Sequence, residues 1–332
     1  MKTLISGFLL LTTAICGAAQ HGLETRAQVE SEVHRLLQAR EFSKLDALAK
    51  ELRDTNAVTL SGYSLLHMFH QSLRMEMETD LDDQTVWNAL ETLAKTWVKE
   101  SPKSPMGNVM VAEVRISRAW QIRGTGYAST VSPQQWMKFN ELVQSAKDYL
   151  LQTRKYSEVD PWWYERMLRI AIWQSKPEIE FRTLLDQALA THPTYFGVHM
   201  AAVDYYSPKW GGSLLKIEEI SQRVTSKLPV AIRDTTYARL YSYVYQEYMR
   251  DNSEARVNCP QWIRGSEDIV KLHPTQYNYN LAAIAATKCS NRSVARKYFQ
   301  LIGDTPNLSL WRDRAGAAAA FARARAWSKA GD

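Results

Sequence analysis

The stretch from Phe181 to Gly212 constrains this chain most. Phe181, Leu184, Leu185, Ala188 and Leu189 recur at i, i+3, i+4, i+7 and i+8, the spacing of one face of an amphipathic helix. His192 and Pro193 end that helix, because proline lacks an amide hydrogen and disfavours helical geometry in the residue before it. A second helix is predicted from Tyr195 to Tyr206, closed by the breaker cluster Ser207, Pro208, Lys209, Trp210, Gly211 and Gly212. Such a helical hairpin cannot bury its apolar face alone and has to stack on a neighbour of the same kind.

The same theme recurs on both sides. Val29, Val33, Leu36 and Leu37 form one stripe and Leu45, Leu48, Ala49 and Leu52 another, with Arg40 to Ser43 as the turn between them. Leu66, Phe69, Leu73 and Met77 keep helical spacing, and Asp83 is placed to cap a helix carrying Val86, Leu90, Leu93 and Trp97. A helix is predicted from Met106 to Ile122, with Gly124 and Gly126 as its C-cap and turn. Ser132 with Pro133, and Asp160 with Pro161, are helix-start signals. Helices are also predicted over Trp262 to Leu272 and Tyr277 to Lys288. In the second of these Ala282, Ala285, Ala286 and Cys289 share a face that admits close approach.

Ala188 and Pro193 sit at the spacing of the last two markers of a tetratricopeptide repeat, and Ala295 and Phe299 match its alanine and phenylalanine. Pro193, Pro229 and Pro274 are separated as two-helix repeats with uneven loops would be. No stretch alternates long enough for a sheet. The expected fold is therefore all-α, with tetratricopeptide-like antiparallel helix pairs stacked into a right-handed solenoid. It forms a single helical-repeat domain over 20–332, with N-terminal hairpins at 27–157, central repeats at 161–229 and C-terminal repeats at 230–330.

Residues 1–19 read as a signal peptide, with Lys2, an apolar Leu4 to Ile15 core, and small residues Gly17, Ala18 and Ala19 for cleavage near Ala19. That run is too short to span a bilayer, and no later run is long enough, so no stable membrane insertion is expected. Periplasmic or secreted localisation follows. Removal of Cys16 leaves Cys259 and Cys289, an even pair that in an exported chain reads most simply as a disulfide. Closing a loop of that length contributes roughly 3 to 4 kcal/mol on the chain-entropy account. The alternative, a reactive thiol pair, lacks the close spacing of a redox motif.

The formal net charge is +6, and the excess is concentrated after Asn291, where eight basic residues from Arg292 to Lys329 face three acids. Export argues against nucleic acid as the partner of this region. A solvated helix face, or an anionic lipid or polysaccharide surface, are the two readings left.

Candidate chemistry is sparse. Asp80, Asp82 and Gln84 alternate as in a calcium loop, but its glycine and distant glutamate are missing. His67 and His70 stand three apart, where a metalloprotease helix needs four with a glutamate next to the first, and Met68 occupies that place. Gly-x-Ser-x-Gly does not occur. Glu100 and Ser101 resemble the Glu-Ser pair of soluble lytic transglycosylases, yet Pro102 follows and the Gly-Leu-Met-Gln stretch is absent. No catalytic residue, metal or cofactor is assigned.

Aromatic residues offer the candidate binding surface. Trp162, Trp163 and Tyr164 are adjacent, so all three cannot share the core stripe of Trp163, Met167 and Ile170. Tyr237, Tyr241, Tyr245 and Tyr248 line up at helical spacing. Trp162, Tyr164, Tyr241 and Tyr245 are therefore the binding candidates, set against the alternative of inter-helix packing.

Taken together, the landmarks resemble a family of exported bacterial proteins known as a domain of unknown function with tetratricopeptide-like helices. The resemblance rests on Ala119, Trp120, Arg123, Gly124, Gly126, Tyr127 and Ala128; on Trp163, Tyr164, Met167 and Leu168; on Pro193, Tyr195, Pro208, Trp210 and Gly212; and on Cys259, Pro260, Trp262, Gly265, Pro274, Asn280, Ala282, Cys289, Ala295, Phe299, Ile302 and Gly303. It implies an all-helical fold and supports pairing Cys259 with Cys289, and it carries no activity. The expected role is a non-catalytic interaction module or scaffold of the bacterial envelope that binds a protein or peptide. The alternative is a glycan-binding or glycan-cleaving, peptidoglycan-directed protein, motivated by eleven Trp and sixteen Tyr, with Glu165 or Glu247 as the acid beside an aromatic platform.

Overall fold

The computed structural model describes residues 25–249, 256–311 and 316–330. The signal peptide expected over 1–19, Cys16, and Arg312 and Arg314 of the basic region lie outside the described residues. Among those described, the chain forms sixteen α-helices and a few 3-10 turns. There is no β-strand, only an isolated bridge between Val58 and Ser64. No described helix is long and apolar enough to cross a membrane.

The helices cluster into two compact units. The first holds the described residues up to Thr59 together with Tyr63–Ala188. It contains α1 (Arg26–Gln38), α2 (Phe42–Thr55), α3 (Leu65–Met75), α4 (Gln84–Glu100), α5 (Pro105–Arg123), α6 (Pro133–Gln152), α7 (Arg154–Ser157), α8 (Pro161–Trp173) and most of α9 (Glu178–Thr191). The second holds Leu60–Gly62 and the described residues from Leu189 onward. Its helices are α10 (Phe196–Tyr205), α11 (Leu214–Ser226), α12 (Val230–Tyr248), α13 (Cys259–Leu272), α14 (Gln276–Lys288), α15 (Arg292–Ile302) and α16 (Ala317–Lys329).

Helix starts follow side-chain chemistry. Asp83 accepts from the Thr85 amide at 2.7 Å, Ser132 forms a reciprocal capping box with Gln135 ahead of Pro133, and Asp160 accepts from the Trp162 amide at 3.0 Å. Each satisfies an amide that the helix itself leaves unbonded. At the other end of α5, Gly124 takes φ +72°, a conformation that costs a residue with a Cβ. Several boundaries differ from expectation by one residue, and one by more: α13 starts at Cys259, three residues ahead of Trp262, because Asn258 caps the Gln261 amide and Pro260 is tolerated in the first turn.

Within the first unit the most extensive packing joins α5 to α6, and within the second it joins α12 to α13 and α14 to α15. In the first unit Trp97 is fully buried and stacks on Phe42 at 5.2 Å, while its Nε1 donates to Asp46 at 3.1 Å. In the second unit the small face read from sequence is in the core, with Ala282, Ala285 and Ala286 all buried. Phe299, Trp311 and Phe321 meet beside it with centroids 5.2–5.6 Å apart. Removing one such ring from water is favourable by roughly 1.5–3 kcal/mol.

The Cys259–Cys289 disulfide is formed, with the two Cα atoms 5.5 Å apart. It joins the start of α13 to the residue after α14, and it fits an oxidising compartment.

Candidate functional site

The four aromatic residues read as a binding surface are not on the surface. Trp162 is 0 % exposed, Tyr164 4 %, Tyr241 1 % and Tyr245 3 %. The reason lies in their helices. On α8 every residue from Pro161 to Leu168 is buried, charged ones included, so this helix has no solvent-facing stripe onto which an off-core ring could turn. Tyr237, Tyr241 and Tyr245 share the buried side of α12.

What α8 brings together instead is a buried charged network inside the first unit. The Trp162 indole stacks on the imidazole of His70 from α3. His70 Nε2 lies 3.1 Å from Asp160 Oδ1, and Arg53 of α2 donates through Nη1 to Asp160 Oδ2 at 2.7 Å. Burial raises the Asp160 carboxyl, but His70, the Trp162 amide and Arg53 oppose it and win, holding the pKa below the usual carboxylate value. One turn along α8, Arg166 donates to Glu165 and lies 3.3 Å from Glu113 of α5. Burial pushes the Glu113 carboxyl up, with Arg166 opposing and Glu165 adding to the rise. Packing around His67 holds its imidazole down at about 4, against the pull of Glu165.

This network surfaces at Arg53, which lines a depression of about 290 Å³ with Asp46, Lys50, Lys103 and Ser104. Asp46 there is raised by burial, and Ser104 and Trp97, which donate to it, lower it only in part. Asp160, Glu113, Glu165 and Arg166 are all at least 95 % buried, so a substrate cannot reach them without opening the helices. Their arrangement fixes the packing of α2, α3, α5 and α8 by charge pairing, and removing one partner of a buried pair typically costs about 3–5 kcal/mol.

The tyrosines of α12 capture acids in the same manner within the second unit. Tyr237 and Tyr241 both donate to Glu218 Oε2 of α11, and Tyr243 and Tyr248 both donate to Asp204 Oδ1 of α10. Burial foremost, and the neighbouring carboxylate next, push the hydroxyls of Tyr241 and Tyr248 far above the usual value. Tyr237 rises further, through burial, then Tyr241, then Glu218. Of the two acids proposed beside an aromatic platform, Glu165 is buried against Arg166 and Glu247 is exposed on α12.

An accessible apolar feature lies on α9. Ile179, Glu180, Thr183, Leu184 and Gln187 line a shallow groove of about 310 Å³, and Ile179 is 74 % exposed. Sequence reading placed Leu184 on the core stripe of this helix, but it is only half-buried, at the edge of that face. No group of three or more His, Cys, Asp or Glu residues that could hold a metal ion occurs among the described residues.

Two signals of the buried network were present in the sequence. Glu113 interrupts the apolar run Met106 to Ile116, and Glu165 with Arg166 interrupts an aromatic helix start. A charge inside an apolar helix marks a buried pair, because burial without a partner is prohibitive. The two signals stand 53 residues apart, and neither stretch records that the other supplies its partner.

Comparison of the chain with protein-family models, with curated proteins and with solved structures finds no match.

Proposed function

We propose that this protein is a non-catalytic interaction module of the bacterial envelope, and that the exposed face of α9 takes up a segment of a partner protein. The observation that carries the reading is Ile179. It is 74 % exposed at the head of a groove that continues through Thr183 and Gln187, one helical turn apart, with Leu184 beside them. An isoleucine left in water on an otherwise polar face forgoes roughly 1.5–3 kcal/mol of burial that a docking segment would recover. The Cys259–Cys289 disulfide supports an oxidising compartment, in keeping with the signal-like first 19 residues. The helix pairs within each unit are proposed to follow tetratricopeptide-like right-handed stacking, supported by the dominance of packing between successive helices and by the resemblance to exported helical-repeat proteins.

The glycan-directed alternative loses its platform, since Trp162, Tyr164, Tyr241 and Tyr245 are buried. Stacking on a sugar needs an open ring face.

The test is cross-linked affinity capture from envelope extract with the unmodified mature protein and with Ile179→Glu/Thr183→Glu, two exposed substitutions that leave the core intact. The proposal expects one partner recovered near one-to-one by the unmodified protein and lost by the variant. The same capture profile from both proteins would sink it.

A further inference from the structure

We propose that the Cys259–Cys289 disulfide is a thiol–disulfide exchange site that an external dithiol enters at Cys289, with Cys259 as the leaving thiolate. The polarity comes from the helices that carry the two sulfurs. Cys259 is the first residue of α13, beside the positive end of the helix, with Asn258 as cap. Cys289 caps α14 at its negative end, its own amide bonded to the Ala285 carbonyl at 2.9 Å. A thiolate is stabilised at a helix N-terminus and disfavoured at a C-terminus. In exchange, the sulfur with the lower thiol pKa leaves faster, so attack on Cys289 with departure of Cys259 is the favoured direction.

Both cysteines are half-buried, and a second observation, independent of the helix dipoles, distinguishes them. Cys289 lines an open depression of about 660 Å³ with Ser290, Asn291, Arg292, Ser293 and Trp327, and Cys259 is not part of that lining. Within that lining the Arg292 guanidinium lies over the Trp327 ring, 5.3 Å from its centroid. An incoming thiolate therefore meets a cation in the depression that Cys289 lines.

The steps balance as follows. One thiolate of the dithiol attacks Sγ of Cys289, the S–S bond breaks, and its electron pair stays on Sγ of Cys259. The second thiolate of the reagent then attacks the reagent sulfur of the mixed disulfide. Cys289 departs as a thiolate and takes a proton from water. The dithiol ends as a disulfide, and the pair Cys259 and Cys289 has gained two electrons. The covalent tie between the start of α13 and the end of α14 is thereby opened.

The experiment uses native protein and a brief exposure to glutathione, a monothiol with no second thiol to resolve the mixed disulfide internally, so that this intermediate is trapped on quenching. Acid quenching, alkylation with N-ethylmaleimide and peptide mass spectrometry then locate both labels. Glutathione is expected on Cys289 and maleimide on Cys259, with a bias of about tenfold or more. Glutathione on Cys259, equal labelling of both, or no adduct until the helices melt would overturn the proposal. At low salt Arg292→Gln is expected to slow adduct formation about threefold while Arg292→Lys retains the rate. An unchanged rate in Arg292→Gln would overturn guided entry at Cys289.

Discussion

The indole of Trp162 lies flat against the imidazole of His70, with ring centroids 5.0 Å apart and planes 7° from parallel. Both side chains are fully buried, and His70 in turn faces Asp160, the residue that caps α8. One stack thus couples the start of α8 to α3. Trp162→Ala is expected to destabilise the first unit by about 3–5 kcal/mol, the range for deleting a buried large aromatic. Urea unfolding followed by circular dichroism reads this as a lower midpoint at unchanged slope. A loss below about 1 kcal/mol would mean that the ring is not packed as described.

Two imidazoles held down by burial, His67 and His199, shape the acid side of the pH profile, and His199 gives the cleaner test. His199 is fully buried, its Nε2 donates to the Pro193 carbonyl at 2.8 Å, and burial, which outweighs that bond, holds its pKa down at about 4. The unfolded chain binds a proton at this site below about pH 6.5 while the folded chain does not. Its contribution to stability is therefore complete above pH 6.5 and is lost as the pH falls towards 4, by roughly 3 kcal/mol. Melting temperatures measured from pH 7 to pH 4.5 should fall for the unmodified protein and fall less for His199→Gln. Parallel profiles would remove His199 as the cause.

Tyrosine ionisation supplies a test at the opposite end of the scale. Tyr237, Tyr241 and Tyr248 have hydroxyls pushed well above the ordinary tyrosine value, first by burial. Folded pKa values above the unfolded one mean that stability is full below about pH 10 and is lost as the pH rises past it. In a spectrophotometric titration these three should ionise only when the second unit unfolds, separately from exposed Tyr127. A smooth single titration with native helicity throughout would contradict the carboxylate-bound geometry.

Close approach of two helices depends on a missing side chain. A Cβ added to Gly265 of α13 would stand 1.9 Å from the Asp234 carbonyl oxygen and 2.9 Å from the Ala238 Cβ, both on α12. Gly265→Ala forces the two backbones apart and should cost about 3 kcal/mol, at the upper end of overpacking effects. Gly124→Ala is the control: nothing lies within 4 Å of its added Cβ, and φ +72° is the source of strain. That change should cost about 1 kcal/mol. Thermal melts that rank the two variants in the reverse order would refute the packing of α12 on α13.

Much of the local structure was written in the chain itself. Caps at Asp83, Ser132 and Asp160, the stop at Gly124, and the small face of Ala282, Ala285 and Ala286 follow from short-range chemistry, in which a residue and its partner lie within a turn or two. The disulfide followed from counting cysteines once Cys16 was set aside. The candidate surface did not follow. Helical periodicity states which residues share a face, but it does not state how many faces of a helix are covered.

That second quantity belongs to the tertiary structure. On α8 the covering is complete, so Trp162, Trp163 and Tyr164 are all buried although they point in different directions. On α9 it is partial, and Ile179 is left in water. Pairings such as Arg53 with Asp160 and Glu113 with Arg166 were likewise decided only when distant helices met. A buried charge demands a partner, but its own sequence neighbourhood carries no record of which helix supplies it.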